Sequence, residues 1–175
     1  MAILETSRLI LRPFREEDVG LLGELMANPD FMRFSSGVYS REQTAGFLNK
    51  LIGWQERGLP SLFAVIFRET GALIGYCGFY HQNIDGVEEI EIGYRIHPGY
   101  WNKGIATEAA RAVRDHAFRD LQLGRVISLI HFENIASRRV VEKIGMALEK
   151  ETIYRGFPTH VFSLARESWL ARSAA

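Results

Sequence analysis

Small residues, a helix start and a pair of acidic side chains fall together in one stretch of this sequence. The strand-like run Val87–Ile96 puts Glu89 and Glu91 on one face and Ile90, Ile92 and Tyr94 on the other, because side chains alternate along a strand. Pro98 and Gly99 end it. Next comes Tyr100-Trp101-Asn102-Lys103-Gly104-Ile105-Ala106-Thr107-Glu108-Ala109, with Gly104 and Ala106 small where the chain turns into a helix. Backbone N–H groups at a helix start lack partners within the helix, and the helix dipole favours negative charge there. A phosphate or pyrophosphate is the natural occupant of such a place. The same small residues also suit a tight turn with close helix packing, so both readings stand at the level of spacing alone.

Two other phosphate loops fail on inspection. Gly99 and Gly104 have the separation of a Walker A motif, but Ile105-Ala106 stands where that motif needs Lys and Ser/Thr. No Gly-x-Gly-x-x-Gly fingerprint is present. Cys77 sits in the apolar run Leu73–Tyr80 with no His or Asp at a suggestive spacing, and reads as a buried small hydrophobe. Among the histidines, His116 shares the apolar side of a helix, whereas His81, His97, His131 and His160 lie at or near strand ends. No spacing among them suggests a metal site.

The elements that must position these residues follow from periodicity. Arg8-Leu9-Ile10-Leu11-Arg12 is a short strand stopped by Pro13. Residues 16–26 place Val19, Leu22, Leu25 and Met26 at helical spacing. Ser40-Arg41-Glu42-Gln43 is a capping box that opens a helix running to about Glu56. The runs 62–68 and 72–80 form a hairpin across Glu69-Thr70-Gly71, and Val87–Ile96 is a third long strand. Ala109, Ala112, Val113, Ala117 and Leu121 mark an amphipathic helix from Ile105. A strand at 125–132, a helix at 135–144 with Gly145 after it, and an antiparallel pair at 146–152 and 159–164 complete the chain. The tail after Trp169 reads as frayed. The unit 87–96, 105–121, 125–132 permits a parallel, right-handed crossover, which with flanking hairpins implies a mixed sheet.

The chain has 175 residues, the size of one domain, with 47% hydrophobic and 24% charged residues. Lys plus Arg equals Asp plus Glu at 21 each, which argues against a broad nucleic-acid or membrane surface. No stretch approaches the roughly 20 apolar residues of a membrane span. A single cysteine and the absence of a signal-like start suggest a reducing cytoplasm.

Three segments, in order, resemble the GNAT superfamily of N-acetyltransferases. Trp101-Asn102-Lys103-Gly104-Ile105-Ala106-Thr107-Glu108-Ala109 resembles its motif A, with Gly104 and Ala106 matching and Trp101 at the usual Arg/Gln position. The stretch Asn134-Ile135-Ala136-Ser137-Arg138-Arg139-Val140-Val141-Glu142-Lys143-Ile144-Gly145-Met146 resembles motif B. Leu4-Glu5-Thr6-Ser7-Arg8-Leu9-Ile10-Leu11-Arg12-Pro13 resembles the first strand of the subgroup that includes ribosomal-protein N-terminal acetyltransferases.

The resemblance implies an α/β (α+β) fold of GNAT type. Its central mixed sheet has about seven strands, flanked by about four helices, and two parallel strands splay apart. It implies acetyl-CoA as cosubstrate, with backbone groups of Tyr94, Arg95 and Ile96 pairing with the pantetheine arm and the Ile96 N–H polarising the thioester carbonyl. Amides of Asn102, Lys103, Gly104, Ile105, Ala106 and Thr107 would hold the pyrophosphate, with charge from Lys103 and further contacts from Asn134 and Arg139. Glu91 falls on a strand glutamate that serves as base in part of the family; the alternative is an ion pair with an arginine of the next strand. Motif B often supplies a tyrosine acid, but Val141 stands there, and Ser137, one turn earlier, is the available hydroxyl. Phe31, Met32 and Phe34, with Trp54, either wall the acceptor pocket or pack under the first helices. The acceptor is an amine, on a protein N-terminus or a small molecule, and the resemblance is compatible with a homodimer. A CoA-binding module without turnover is the alternative from a different class.

Overall fold

A computed structural model describes residues 3–173. In chain order the strands are β1 (Leu4–Glu5), β2 (Leu9–Pro13), β3 (Leu62–Phe67), β4 (Ala72–Ile84), β5 (Val87–Ile96), β6 (Arg125–His131), β7 (Ala147–Tyr154) and β8 (Phe157–Ala165). The helices are α1 (Val19–Met26), α2 (Arg41–Glu56), α3 (Ile105–Arg119), α4 (Ile135–Lys143) and α5 (Arg166–Ser173). The strands form one sheet in the order β1-β2-β3-β4-β5-β6-β8-β7. Every neighbouring pair is antiparallel except β5 and β6, which are parallel.

Helices cover both faces, which is why β3 reads as an unbroken apolar run. Phe63 and Val65 point into a core that includes Ile105, Ala109, Val113 and Ala117 of α3. Their neighbours Leu62 and Ala64 point the other way, against Leu22, Met26, Leu48 and Leu51 of α1 and α2. The Ser40 capping box forms as its residues predict, with the serine hydroxyl taking the Gln43 N–H and the Gln43 side chain taking the Ser40 N–H.

Two expectations change. The sheet has eight strands rather than about seven, the addition being the two-residue β1. The described part also closes with α5, which carries the chain past Trp169 as a helix where a fray was expected. Trp169 packs its ring 5.5 Å from that of Phe118 and donates from Nε1 to Asp115, while Arg172 donates to the Gly145 carbonyl at 2.7 Å. Those tertiary contacts, absent from any local pattern, hold a polar segment in a helix. Residues 174–175 lie outside the described part.

The feature that matters for function is the seam between β5 and β6. Only Glu91 and Ile127 are in parallel register, whereas β6 and β8 pair along their length from Arg125 to His131. Next to that pair the Ser128 hydroxyl donates to the Ile92 carbonyl at 2.7 Å. Beyond it the two strands part.

Candidate active site

Strand alternation decides what faces the gap. The His97 N–H donates to the Ile74 carbonyl on the β4 side, and Ile96 lies opposite Gly75. In an antiparallel pair, backbone groups turn alternately to the two neighbours. The N–H groups of Tyr94 and Ile96 therefore point toward β6, where the seam is open. Two carbonyls support this direction: that of Ile92 accepts from Ser128, and that of Ile96 accepts from the Trp101 indole at 2.7 Å. Trp101, which stands where an Arg or Gln is usual, thus fastens the end of β5 to the following loop.

That loop winds left-handed at Asn102 (φ 58°) and again at Gly104 (φ 74°), a conformation that Asn and Gly tolerate best. Gly104 is the N-cap of α3, and no side chain caps the helix. The amides opening α3 are thus held in a bend suited to an anion. Lys103 folds back, donating to the Gly99 carbonyl at 3.0 Å, with its ammonium 5.7 Å from the centre of the Tyr100 ring.

The opening segment of the chain braces this loop. Glu108 of α3 accepts from the Thr6 hydroxyl (2.6 Å), the Arg8 backbone N–H (2.9 Å) and Arg8 Nε (2.6 Å). Arg8 also donates to the Lys103 carbonyl at 2.8 Å. Thr6-Ser7-Arg8 and the motif A segment are therefore one unit in space. These donors depress the Glu108 carboxyl's pKa against the opposing effect of burial. A depressed carboxylate contributes stability above its unfolded pKa and loses it as pH falls through the folded one. Glu108→Gln should cost about 2 kcal/mol at pH 7, toward the low end for hydrogen bonds to a charged group because the Arg8 partner is exposed to solvent. The gap from the parent should close on acidification, which urea unfolding at pH 7 and pH 4 would check.

Glu91 lies on the sheet face opposite Ile92, at the point where the seam opens. It is buried, at 9% exposure, and burial pushes its carboxyl up to about 7. The Gln82 amide (2.5 Å) and the Leu129 N–H (3.4 Å), with Arg155 and Arg95 further off, offset that push only in part. The ion pair weighed for Glu91 belongs instead to Glu89, which meets Arg125 at 2.9 Å. Gln82 is itself held by the Tyr154 hydroxyl, which donates to its carbonyl oxygen at 2.8 Å. This Tyr154–Gln82–Glu91 chain had no sequence signal: β4 runs four residues past Tyr80, and only that extension brings Gln82 beside the carboxylate.

A cavity of about 540 Å³ opens here, lined by Glu91, Gln82, Tyr94, Arg95, Asn134 and Ser137 among others. Met32, Phe34 and Trp54 line it, while Met32 and Trp54 also pack on the core under α1 and α2, so both readings meet in these two residues. Phe31 does not: it is a core residue at 2% exposure, edge-on to Tyr76 at 5.7 Å. Asn134 takes the Ser137 N–H as the N-cap of α4, and the Tyr94 hydroxyl donates to the Ser137 carbonyl at 2.9 Å. Arg139 is exposed on α4 and does not line the cavity.

Of the histidines, His81 and His131 reach the cavity, and His116 packs against Phe63 and Phe79 as its helical position predicts. Cys77 is fully buried with its thiol pushed far up by burial. Among the described residues no group of three His, Cys, Asp or Glu side chains is placed to hold a metal. A second hollow of about 440 Å³ between β1 and α3 has its carboxylates already engaged: Glu5 by Arg68, Glu108 by Arg8, Asp115 by Arg114 and Asp120 by His116.

Residues 8–147 match the family described as the acetyltransferase (GNAT) domain. The Bacillus subtilis (strain 168) protein named "Uncharacterized N-acetyltransferase YnaD" is 34% identical over 173 residues, covering 95% of this chain and 98% of that one. A GNAT-family acetyltransferase structure from Bacillus anthracis superposes with a TM-score of 0.80 at 30% identity, over 95% of this chain and 99% of its own. The fold is shared, at 20% identity and a TM-score of 0.80, with RimL, named as a ribosomal L7/L12 alpha-N-protein acetyltransferase in complex with coenzyme A. That match covers 95% of this chain and 99% of RimL. This chain belongs to the GNAT acetyltransferase family, whose members move acetyl groups to amines. Within that class it is an N-acetyltransferase. No described helix is long and apolar enough to cross a membrane.

Proposed function

We propose that the protein transfers the acetyl group of acetyl-CoA to a primary amine by direct attack at the mouth of the β5–β6 seam, with Glu91 as the proton acceptor. The observation that carries this reading is a buried carboxylate, poised to titrate near 7, at the point where a parallel strand pair opens beside unpaired N–H groups. Acetyl-CoA is the natural ligand of such a seam: its pantetheine amides can pair with Tyr94 and Ile96 as a missing strand would, whereas the Arg95 backbone, expected to join them, is turned to Tyr76 of β4. When bound it supplies the activated acetyl group as a thioester.

The chain's own residues divide the remaining work. Amides from Asn102 to Thr107 hold the pyrophosphate at the uncapped start of α3. Lys103 adds positive charge beside them, and Asn134 and Arg139 flank the arm. The Ile96 N–H stabilises charge that builds on the carbonyl oxygen. An acceptor amine is largely protonated near neutral pH, and Glu91 takes that proton so the nitrogen lone pair is free to attack. As the new N–C bond forms the C–S bond breaks, and the Ser137 hydroxyl passes the second proton of the attacking nitrogen on to the departing sulfur, giving its own proton and taking that one. Met32, Phe34 and Trp54 wall the acceptor, which is a protein N-terminus or a small-molecule amine, in a reducing cytoplasm.

The test is ligand-induced stabilisation followed by turnover. Acetyl-CoA and CoA at 100 times their dissociation constants should each stabilise the fold by about 2.7 kcal/mol, and ATP should not. Free-thiol release on adding an amine then reports transfer. Stabilisation by ATP alone would point to a nucleotide site instead.

A further inference from the structure

The walls of the acceptor cavity carry an unbalanced charge. Lys50 comes from α2, Arg95 from β5 and Arg155 from the tight turn between β7 and β8, and all three line the same space. Among the described residues none of the three has a carboxylate within 4.0 Å, whereas Arg8, Arg12, Arg68, Arg114, Arg125 and Lys150 each do. They are held in place by other means. The Lys50 ammonium sits 4.7 Å from the Trp54 ring centre, and the Arg155 guanidinium 5.1 Å from that of Tyr154. Arg95 donates to the carbonyls of Phe31 at 3.0 Å and Arg33 at 2.8 Å.

A cation lying on an aromatic face, or bonded to neutral carbonyls, is oriented without being neutralised. It keeps its attraction for an anion. Against these three cations the cavity offers two acids, Glu133 and Glu91. A guanidinium fork matches the two oxygens of a carboxylate or phosphate, so Arg95 and Arg155 are suited to an oxyanion.

Building on the proposed transfer to an amine, we infer that the acceptor is a small molecule bearing an anionic oxygen group besides its amine, the anion meeting Lys50, Arg95 and Arg155 while the amine faces Glu91. The aromatic walls of Phe34, Tyr39, Trp54 and Phe157 add room for an apolar body between the two ends. A polyamine meets the opposite of what it needs, since its second cation would face three of the same sign.

Matched acceptors test this with the full chain, acetyl-CoA and a free-thiol readout. Phenylalanine is compared with phenylalaninamide, 2-aminoethylphosphonate with ethanolamine, and spermidine stands as the polycation. The expected result is that at least one anionic member exceeds its neutral partner tenfold or more in kcat/KM; which pair responds separates carboxylate from phosphate recognition. Arg155→Gln and Lys50→Gln should each shrink that preference several-fold through the acceptor's KM, with the acetyl-CoA dissociation constant unchanged. Neutral partners used as well as anionic ones, or spermidine used best, would overturn the inference. A panel left wholly untouched while acetyl-CoA still stabilises the protein would overturn it too and spare the cofactor reading. Absence of stabilisation by acetyl-CoA would instead remove the proposed function beneath it.

Discussion

Glu91→Gln is expected to lower kcat by about a hundredfold, at the modest end for loss of a general base, and to leave acetyl-CoA affinity as it was. The parent's rate should climb with pH through a limb near 7, the value to which burial raises this carboxyl. The variant should lack that limb. Below it the parent's own base is protonated, so the two proteins differ most above pH 7. The substitution also has a signature in stability. A carboxyl whose folded pKa is raised binds its proton more tightly in the native state than in the unfolded chain. Native stability therefore declines as pH rises from the ordinary value of 4.5 to about 7. At 1.36 kcal/mol per pH unit the decline amounts to about 3 kcal/mol, which Glu91→Gln should abolish. Urea unfolding of both proteins at pH 5 and pH 8 reads it directly. A variant with the parent's rate profile removes Glu91 from the mechanism, and one with the parent's unfolding profile removes the buried charge as its cause.

Gly104→Leu is expected to weaken acetyl-CoA binding by a hundredfold or more without unfolding the protein. A Cβ added at Gly104 would meet only the far end of a side chain, Arg8 Nη2, at 3.6 Å, so the first carbon of a new side chain has room. The backbone there is left-handed at φ 74°, however, which costs a non-glycine residue about 1–2 kcal/mol. The larger effect is on the ligand, because the new side chain would stand over the amides that open α3. Gly104→Ala, with the same backbone strain and less bulk, separates the two causes: it should lose part of the stability and less of the affinity. Isothermal titration with acetyl-CoA, beside thermal melts, would measure both. Unchanged affinity in the leucine variant means the pyrophosphate docks elsewhere.

Much of the scaffold was legible because its signals are local. The bounds of β5, the capped start of α2 and the start of α3 all follow from alternation, a capping box and a helical stripe. The open seam was legible only through resemblance, since nothing in the sequence of β6 says that it pairs with β5 at one position. The features missed are those that join distant residues. Gln82 reaches Glu91 because β4 overruns a polar stretch, His81-Gln82-Asn83, that looks like a strand end but pairs with Ile90, Glu89 and Glu88. Tyr154 touches Gln82 from 72 residues away. Phe31 and Phe34 have the same character in sequence, yet one is core and the other faces the cavity, because the segment 28–39 has no regular period to sort them. Arg95 carries a backbone role by resemblance that the register overturns, since its backbone faces β4; its side chain shares the Glu91 face and is fixed there by the carbonyls of Phe31 and Arg33.

The hydroxyl that Ser128 lends to the Ile92 carbonyl acts as a doorstop. It satisfies an acceptor that would otherwise wait for a strand partner, and it fixes where the zipper between the two strands halts. The edge that faces the seam is then set by the sheet's own register, and on the proposed reading it is this edge that a pantetheine arm would meet.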